Sequence, residues 1–157
     1  RSIGIAGDFD AALTLSGGDA LFNNALTTVK IAGGLHGASI ISDSIGTFTA
    51  RTIADSSIFT GYTPADAAHP LDGGVFFDGS KIASFTIRSG QSAFGNTFVA
   101  AKNIGTINVA SLDADNGGIP FGFLTDTVPG KVVIPGFVYH KTGSADQSLG
   151  DFHIKVV

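Results

Sequence analysis

The sequence predicts an all-β chain that folds as a parallel β-helix, or β-solenoid, of about five rungs. The first observation is its amino-acid composition: the 157 residues include 22 Gly and 13 Phe, and none of the 13 acidic residues is Glu. Strong helix formers are therefore scarce, whereas Ile, Val, Thr and Phe favour strands. The second is a recurring phrase, SIGTFTA at 44–50 and NIGTINV at 103–109. The third is a longer internal match, IGIAGDF at 3–9 and VKIAGGL at 29–35.

Aligning these phrases gives five candidate rungs, centred on Ile3, Val29, Phe48, Phe85 and Ile107. The intervals are 26, 19, 37 and 22 residues. Three of them are near the spacing of roughly 20 to 30 residues expected of a β-solenoid coil, and an insertion lengthens the other. An antiparallel β-sandwich or jelly roll, in which alternating strands merely look alike, is the alternative fold.

Within each rung, residues two apart point to the same side of a strand, so Ile3 and Ile5 are expected to face inward with Val29 and Ile31. Like residues in later rungs predict internal columns of Ile, Val and Phe along the axis. The later rungs are Ile45, Phe48, Ala50, Ile53 and Ile58; then Ile82, Phe85, Ile87, Phe94 and Phe98; then Ile104, Ile107, Val109 and Leu112.

We expect a single domain over 1–157, with regular rungs at 1–60 and 81–112. Residues 61–80 interrupt the pattern with two prolines and several Asp-Gly corners, which predicts an insertion. Long insertions in solenoids often carry contacts, so Tyr62, Phe76 and Phe77 are candidate interface residues. Beyond residue 112 the phrase stops and three prolines appear, so 113–157 are predicted to form a C-terminal cap.

Charge and hydropathy exclude two classes of partner. The net charge is −4, and the nine Lys and Arg residues are scattered without a run longer than one, so nucleic acid is not expected. No apolar stretch approaches the roughly 20 residues of a spanning helix, so the chain is not expected to cross a membrane.

Because the chain begins with Arg1 and is rich in Gly, Ser, Thr and Asp, we expect a processed product or a piece of a longer chain that is secreted or on the cell surface.

The IGT phrases, the IASFTI segment at 82–87 and the DNGGIPFG segment at 115–122 carry a resemblance. They resemble the C-terminal region of large, Gly-rich bacterial surface proteins of the β-helical, haemagglutinin-like or adhesin-like repeat kind. The resemblance covers most of the chain. It implies an exported, elongated structural or adhesive protein, and it transfers no catalytic residue.

Chemistry-bearing motifs are sparse. The four histidines have no metal-ligand spacing and no GxSxG elbow occurs, so no catalytic residues and no enzymatic activity are expected. Asp113, Asp115 and Asn116 place oxygen atoms before a Gly-Gly bend, which suits Ca²⁺ and makes them candidate metal ligands. An Asx-type turn is the alternative explanation of this segment. Asp72 and Asp78, beside Gly73 and Gly74, form a weaker second calcium candidate.

These observations favour a non-enzymatic structural subunit of an extracellular filament, sheath or surface layer that assembles by head-to-tail stacking of β edges. Ile3 and Ile5 lie on an uncapped first rung and are the predicted interface, because an exposed strand edge is a template for pairing. The partners are identical subunits or upstream repeats of a parent chain. An adhesin or carbohydrate-binding module that uses glycans is the alternative, and a polysaccharide-active β-helix enzyme is less favoured.

Overall fold

The computed structural model describes residues 1–15, 25–90, 92–141 and 146–157, and within these ranges the chain is all-β. The described residues contain no helix, and so none with the length and apolar character to cross a membrane. The strands are β1 (Ser2–Ile5), β2 (Ala12–Thr14), β3 (Ala25–Ile31), β4 (Gly34–His36), β5 (Ser39–Ser42), β6 (Ser44–Ala50), β7 (Thr52–Ala54), β8 (Ser57–Thr60), β9 (Tyr62–Pro64), β10 (Gly74–Phe76), β11 (Lys81–Ile87), β12 (Phe94–Gly95), β13 (Phe98–Ala101), β14 (Asn103–Val109), β15 (Phe121–Thr125), β16 (Lys131–Val133), β17 (Gln147–Leu149) and β18 (Phe152–Val156).

Three sheets share most of these strands. Sheet A has the order β1-β3-β6-β11-β14-β16, sheet B the order β12-β7-β4, and sheet C the order β17-β18-β15-β13-β8-β5-β2. The chain visits sheet A, then B, then C, as in β3, β4, β5 and again in β6, β7, β8. Neighbouring strands in the three sheets are parallel, except β17 and β18. Residues 16–24 of the predicted rungs lie outside the described residues.

The pairing register of sheet A aligns the five residues predicted as rung centres. Ile3 pairs with Val29, Val29 with Phe48, Phe48 with Phe85, and Phe85 with Ile107. The 26-residue match is confirmed as well, since Ile3 through Ile5 pair at this offset with Val29 through Ile31. The offset persists to Phe9, which forms a parallel bridge with Leu35.

The glycine of the recurring Ile-Gly phrase has a steric cause. A Cβ atom on Gly46 would lie 2.5 Å from the carbonyl oxygen of Thr27, and one on Gly105 would lie 2.5 Å from that of Ala83. The regular pairing of sheet A skips these positions, and the backbones of successive strands approach closely there. A side chain is therefore excluded at this place in β6 and β14, which explains the glycine that they share, whereas β11, which lies between them, carries Ala83 there.

The core is continuous and rich in phenylalanine. The predicted column is seen directly, since the rings of Phe48 and Phe85 stack with centroids 5.0 Å apart and an interplanar angle of 7°. Phe94 stacks on Phe123 at 5.2 Å in the same interior. Each such ring contributes about 1.5–3 kcal/mol through burial, so these columns carry much of the stability.

One predicted inward position is wrong. Phe98 was expected in the internal column above Ile58, but Val99 pairs with Ile58 and is fully buried. Phe98 pairs with Ser57 and packs outside sheet C, against a second small cluster that includes Leu124. The predicted register was off by one residue. Because side chains alternate along a strand, a shift of one residue moves a side chain to the opposite face of the sheet.

Parallel strands continue through the segment predicted as a cap. β15 extends sheet C beside β13, β16 extends sheet A beside β14, and β18 pairs in parallel with β15. Ile107 pairs with Val132, so the central column gains a sixth member. The terminal strand that departs from this pattern is β17, which is antiparallel to β18. The ladders therefore extend about 40 residues beyond the last recognisable phrase.

The predicted insertion is a hairpin outside the three sheets. β9 and β10 pair antiparallel with each other, and the connecting residues turn through Pro70 and Gly73. Leu71, in this connection, is buried against the outer face of sheet C together with Ala100 and Leu124. The predicted insertion 61–80 is therefore packed on the outer face of sheet C.

Candidate functional site

The edge of sheet A at β1 is the first candidate interaction surface. Ile3 and Ile5 face the core but are only half-buried, and Phe9, Leu13 and Leu15 of the same first pass are half-buried too. Their partners one strand further in, such as Val29 and Ile31, are almost fully buried. No described strand lies on the other side of β1, so the apolar columns end here at a partly open surface.

The backbone of β1 presents unpaired groups on that open side. The carbonyl oxygen of Ile5 accepts a hydrogen bond from the amide of Ala32, at 2.8 Å, across the β1–β3 ladder. Alternate residues of a parallel strand bond to the same neighbour. The N–H and C=O groups of Ser2 and Gly4 therefore point away from β3, toward the position that an added strand would occupy.

The opposite end of the stack is better closed. Phe152 lies 5.8 Å from Phe121, 6.0 Å from Phe123 and 5.4 Å from Phe137, measured between ring centroids. The three rings in β15 and β18 are fully buried, and β17 covers one edge of sheet C. Leu149, on β17, is still 39% exposed. The apolar interior beside sheet C is thus closed at this end by aromatic packing and an antiparallel strand, whereas β16 remains an edge strand of sheet A whose Val132 is half-buried.

The insertion holds the other three predicted interface residues, in different environments. Tyr62 is buried, and its hydroxyl donates to the carbonyl oxygens of Pro70 at 2.7 Å and Gly73 at 2.8 Å as alternatives. Burial, followed by the charge of Asp72, raises the pKa of Tyr62 to about 12. Tyr62 therefore stabilises the hairpin internally, and its ring is not on the surface.

Phe76 and Phe77 lie at the end of β10. The ring of Phe76 is half-buried against Tyr62, with centroids 4.7 Å apart. Phe77 is 58% exposed and Val75, on the same strand, is 62% exposed. The apolar surface that the hairpin offers to solvent therefore consists of Val75 and Phe77.

Two lysines attach the insertion to neighbouring strands. Lys102, directly before β14, forms an ion pair with Asp78. Lys155, in β18, lies 3.3 Å from both the Asp72 carboxylate and the carbonyl oxygen of Leu71. Hydrogen bonding to Lys102 and its charge lower the pKa of Asp78. Asp72 and Asp78 are thus engaged with separate lysines.

The Asp113–Gly117 segment forms local turn bonds. The amide of Asp115 donates to the Asp113 carboxylate at 3.4 Å, and the amide of Gly117 donates to the Asp115 carboxylate at 3.1 Å. These are the bonds of the Asx-type turn that was the alternative to a metal site. Within the described ranges, no group of three or more acidic or histidine side chains is placed to hold a metal ion.

Asn116 is fixed by bonds that its side-chain amide donates. Its Nδ2 lies 2.9 Å from both the Asn96 side-chain oxygen and the carbonyl oxygen of Ile119. The amides of Asn116 and Gly118 donate to the Asp151 carboxylate at 2.7 and 2.8 Å. The bond from Asn116, followed by the bond from Gly118, lowers the pKa of Asp151. Calcium binding at Asp113, Asp115 and Asn116 stays a prediction.

Sequence reasoning missed a cluster of cations at the corner between sheets A and B. Lys30, Arg51 and Arg88 are exposed and line one surface depression of about 260 Å³. They are far apart in sequence, and so they were judged to be scattered. Arg51 and Arg88 are 37 residues apart, which is also the interval between the paired Phe48 and Phe85. Applying the repeat offsets to charged residues would have revealed this cluster.

Comparisons with known proteins add no family assignment. No protein-family model, curated protein or solved structure matches this chain. The resemblance to bacterial surface repeat proteins therefore stays a prediction.

Proposed function

We propose that the chain is a rigid parallel β-solenoid that serves as a structural subunit of an extracellular filament, sheath or surface layer. The main observation in support is that in-register apolar columns run through sheet A and end at a half-buried first strand. The repeated A, B, C order supports the solenoid, because each pass then stacks on the preceding one.

A second copy of this chain is the proposed occupant of the open β1 edge. The column that contains Ile3 ends at Val132 on β16, which is itself an edge strand of sheet A and only half-buried. A head-to-tail contact would place Val132 of one copy beside Ile3 of the next and continue the column. Such a contact joins two different surfaces, so it is open-ended and builds a filament.

Blocking the open edge of β1 tests this proposal. A Cβ atom on Gly4 would meet nothing within 4 Å, so Gly4→Ala is a matched control with an intact backbone donor. Gly4→Pro removes the outward N–H without removing a β1–β3 bond, and proline is tolerated on an edge strand. Light scattering after size exclusion, with electron microscopy, should show assemblies that grow with concentration for wild type and Gly4→Ala, and monomers for Gly4→Pro.

Two outcomes contradict head-to-tail assembly. A wild-type chain that stays monomeric at all concentrations would remove the proposal, as would equal assembly by Gly4→Pro and Gly4→Ala. A closed dimer that does not grow with concentration would also be incompatible, because it needs a self-complementary contact between like ends. Circular dichroism of both variants checks that the folded strands are retained.

An adhesin or carbohydrate-binding role is the second candidate. The exposure of Val75, in β10, and of Phe77, directly after it, favours it. Tyr62, which was expected to contribute, is occupied by bonds within the hairpin. Val75 and Phe77 themselves can offer a sugar only apolar contact, whereas ligand sites also need polar groups that fix orientation. We therefore place this function after the structural one.

A further inference from the structure

We propose that Lys30, Arg51 and Arg88 form a binding site for an acidic polysaccharide, one whose sugars carry carboxylate or sulfate groups. The three cations lie on successive passes of the chain, at the corner where sheet A leads into sheet B. They line one depression of about 260 Å³. This site is separate from the β1 edge and from the hairpin.

The backbone beneath these side chains is fixed by hydrogen bonds between passes. Each of these bonds joins a backbone amide to a backbone carbonyl oxygen. The amide of Arg51 donates to the oxygen of Gly33 at 3.0 Å, that of Arg88 to the oxygen of Ala50 at 3.1 Å, and that of Ser89 to the oxygen of Arg51 at 3.2 Å. The two arginines therefore project from neighbouring strands, whose spacing is about 4.8 Å. A site on such a scaffold is more precise than one on an unsupported loop.

The charge balance argues for an anionic ligand. The chain carries a net charge of −4, yet three of its nine Lys and Arg residues meet at this corner. Within the described residues, no carboxylate forms an ion pair with Lys30, Arg51 or Arg88. Like charges at adjacent strand positions destabilise a sheet. An anion bound between them would remove this repulsion, and each guanidinium can hold a carboxylate or sulfate through two parallel hydrogen bonds.

The surroundings fit a sugar chain. Ser89 lines the same depression and is exposed, so its hydroxyl can bond to sugar oxygens. A second depression of about 280 Å³, lined by Lys30, Ala32 and Gly4, continues toward β1. Successive passes are separated by about 4.8 Å, which is comparable with the length of one pyranose residue. A linear glycan lying along the stack would thus meet one pass for each sugar.

A nucleic acid fits this surface less well. Single-stranded nucleic acids bind through positively charged grooves combined with aromatic side chains on which bases stack. The lining of the depression contains no aromatic residue. Duplex DNA is therefore a competitor in the test, not the proposed ligand.

Fluorescence anisotropy with a labelled sulfated dextran oligosaccharide tests the site on the full chain. Wild type should bind it and show no binding to neutral dextran of the same length. The Arg51→Gln/Arg88→Gln variant should lose at least about tenfold in affinity. Arg51→Lys/Arg88→Lys should keep part of it. The control Lys81→Gln/Lys141→Gln removes two exposed cations outside the depression and should bind as wild type.

Several outcomes would overturn the proposal. The first is an equal loss of affinity in Arg51→Gln/Arg88→Gln and in the lysine-to-glutamine control. The second is equal binding of neutral dextran. The third is competition by duplex DNA that is stronger than competition by unlabelled sulfated dextran at the same charge. Inorganic sulfate that competes as well as the oligosaccharide at equal concentration would reduce the site to a small-anion site. Should the double arginine variant melt early, Arg51→Gln and Arg88→Gln are tested singly, since both side chains are exposed.

Discussion

The two ends of the strand stack use similar apolar residues and reach different degrees of closure. At the β1 end, Ile3, Ile5 and Phe9 face the interior but remain half-buried. At the β18 end, Phe152 and Ile154 are fully buried beneath Phe137 and β17. The difference shows that inward alternation alone does not close a stack of parallel strands. Closure at β18 comes from a strand and an aromatic ring placed across the end.

Matched substitutions of isoleucine at the two ends should give the largest contrast. Ile154→Asp puts an unpaired carboxylate in a fully buried position and should cost about 4 kcal/mol or more, enough to unfold a marginally stable domain. Ile5→Asp leaves the carboxylate access to water and should cost about 1–2 kcal/mol. Urea unfolding followed by circular dichroism measures both. Similar losses would mean that the β1 end is as closed as the β18 end.

The sequence predicted the pairing of sheet A because its strands repeat a short phrase with a steric cause. Ile, Gly and Thr recur in β6 and β14, where a Cβ atom on the glycine would strike the preceding strand, and β11 has Ile, Ala and Ser at the same spacing. The register of Phe48, Phe85 and Ile107 could therefore be read directly. Beyond residue 112 the phrase is absent, although β15, β16 and β18 continue the ladders. Pairing there depends on contacts between distant residues, which leave no local pattern.

The candidate sites were less predictable for a related reason. Tyr62 looked like a surface aromatic in a loop, but its hydroxyl bonds within the hairpin are visible only once Pro70 and Gly73 are placed. The cationic corner was missed because charge was counted along the chain. Arg51 and Arg88 meet only when the strand register is applied to them. The position of Ile3 in an edge strand of sheet A was predictable because it followed from the order of the repeats.

Matched glycine substitutions should give an intermediate contrast between the ends. A Cβ atom on Gly130, just before β16, would lie 2.7 Å from the carbonyl oxygen of Gly105, so one backbone must move. Gly130→Ala should cost about 1–3 kcal/mol, as for other overpacked sites. Gly4→Ala, in β1, meets no atom within 4 Å and should change stability by less than about 1 kcal/mol, toward stabilisation. Thermal melting compares them. A loss at Gly4 equal to that at Gly130 would show that another chain segment packs against β1.

The smallest expected effect depends on pH and concerns Asp151, directly before β18. The amides of Asn116 and Gly118 hold the pKa of Asp151 below its usual value. A carboxyl whose pKa is lower in the folded chain stabilises the fold above its unfolded pKa, about 3.9 for Asp, and this stabilisation is lost as pH falls through the folded value. Asp151→Asn should therefore lower the melting temperature slightly at pH 7 and match wild type near pH 2. The control Asp43→Asn, at an exposed position, should follow wild type throughout. If the melting temperature of Asp151→Asn stays below that of wild type by the same amount from pH 7 to pH 2, the charge of the carboxylate does not stabilise this end of the stack.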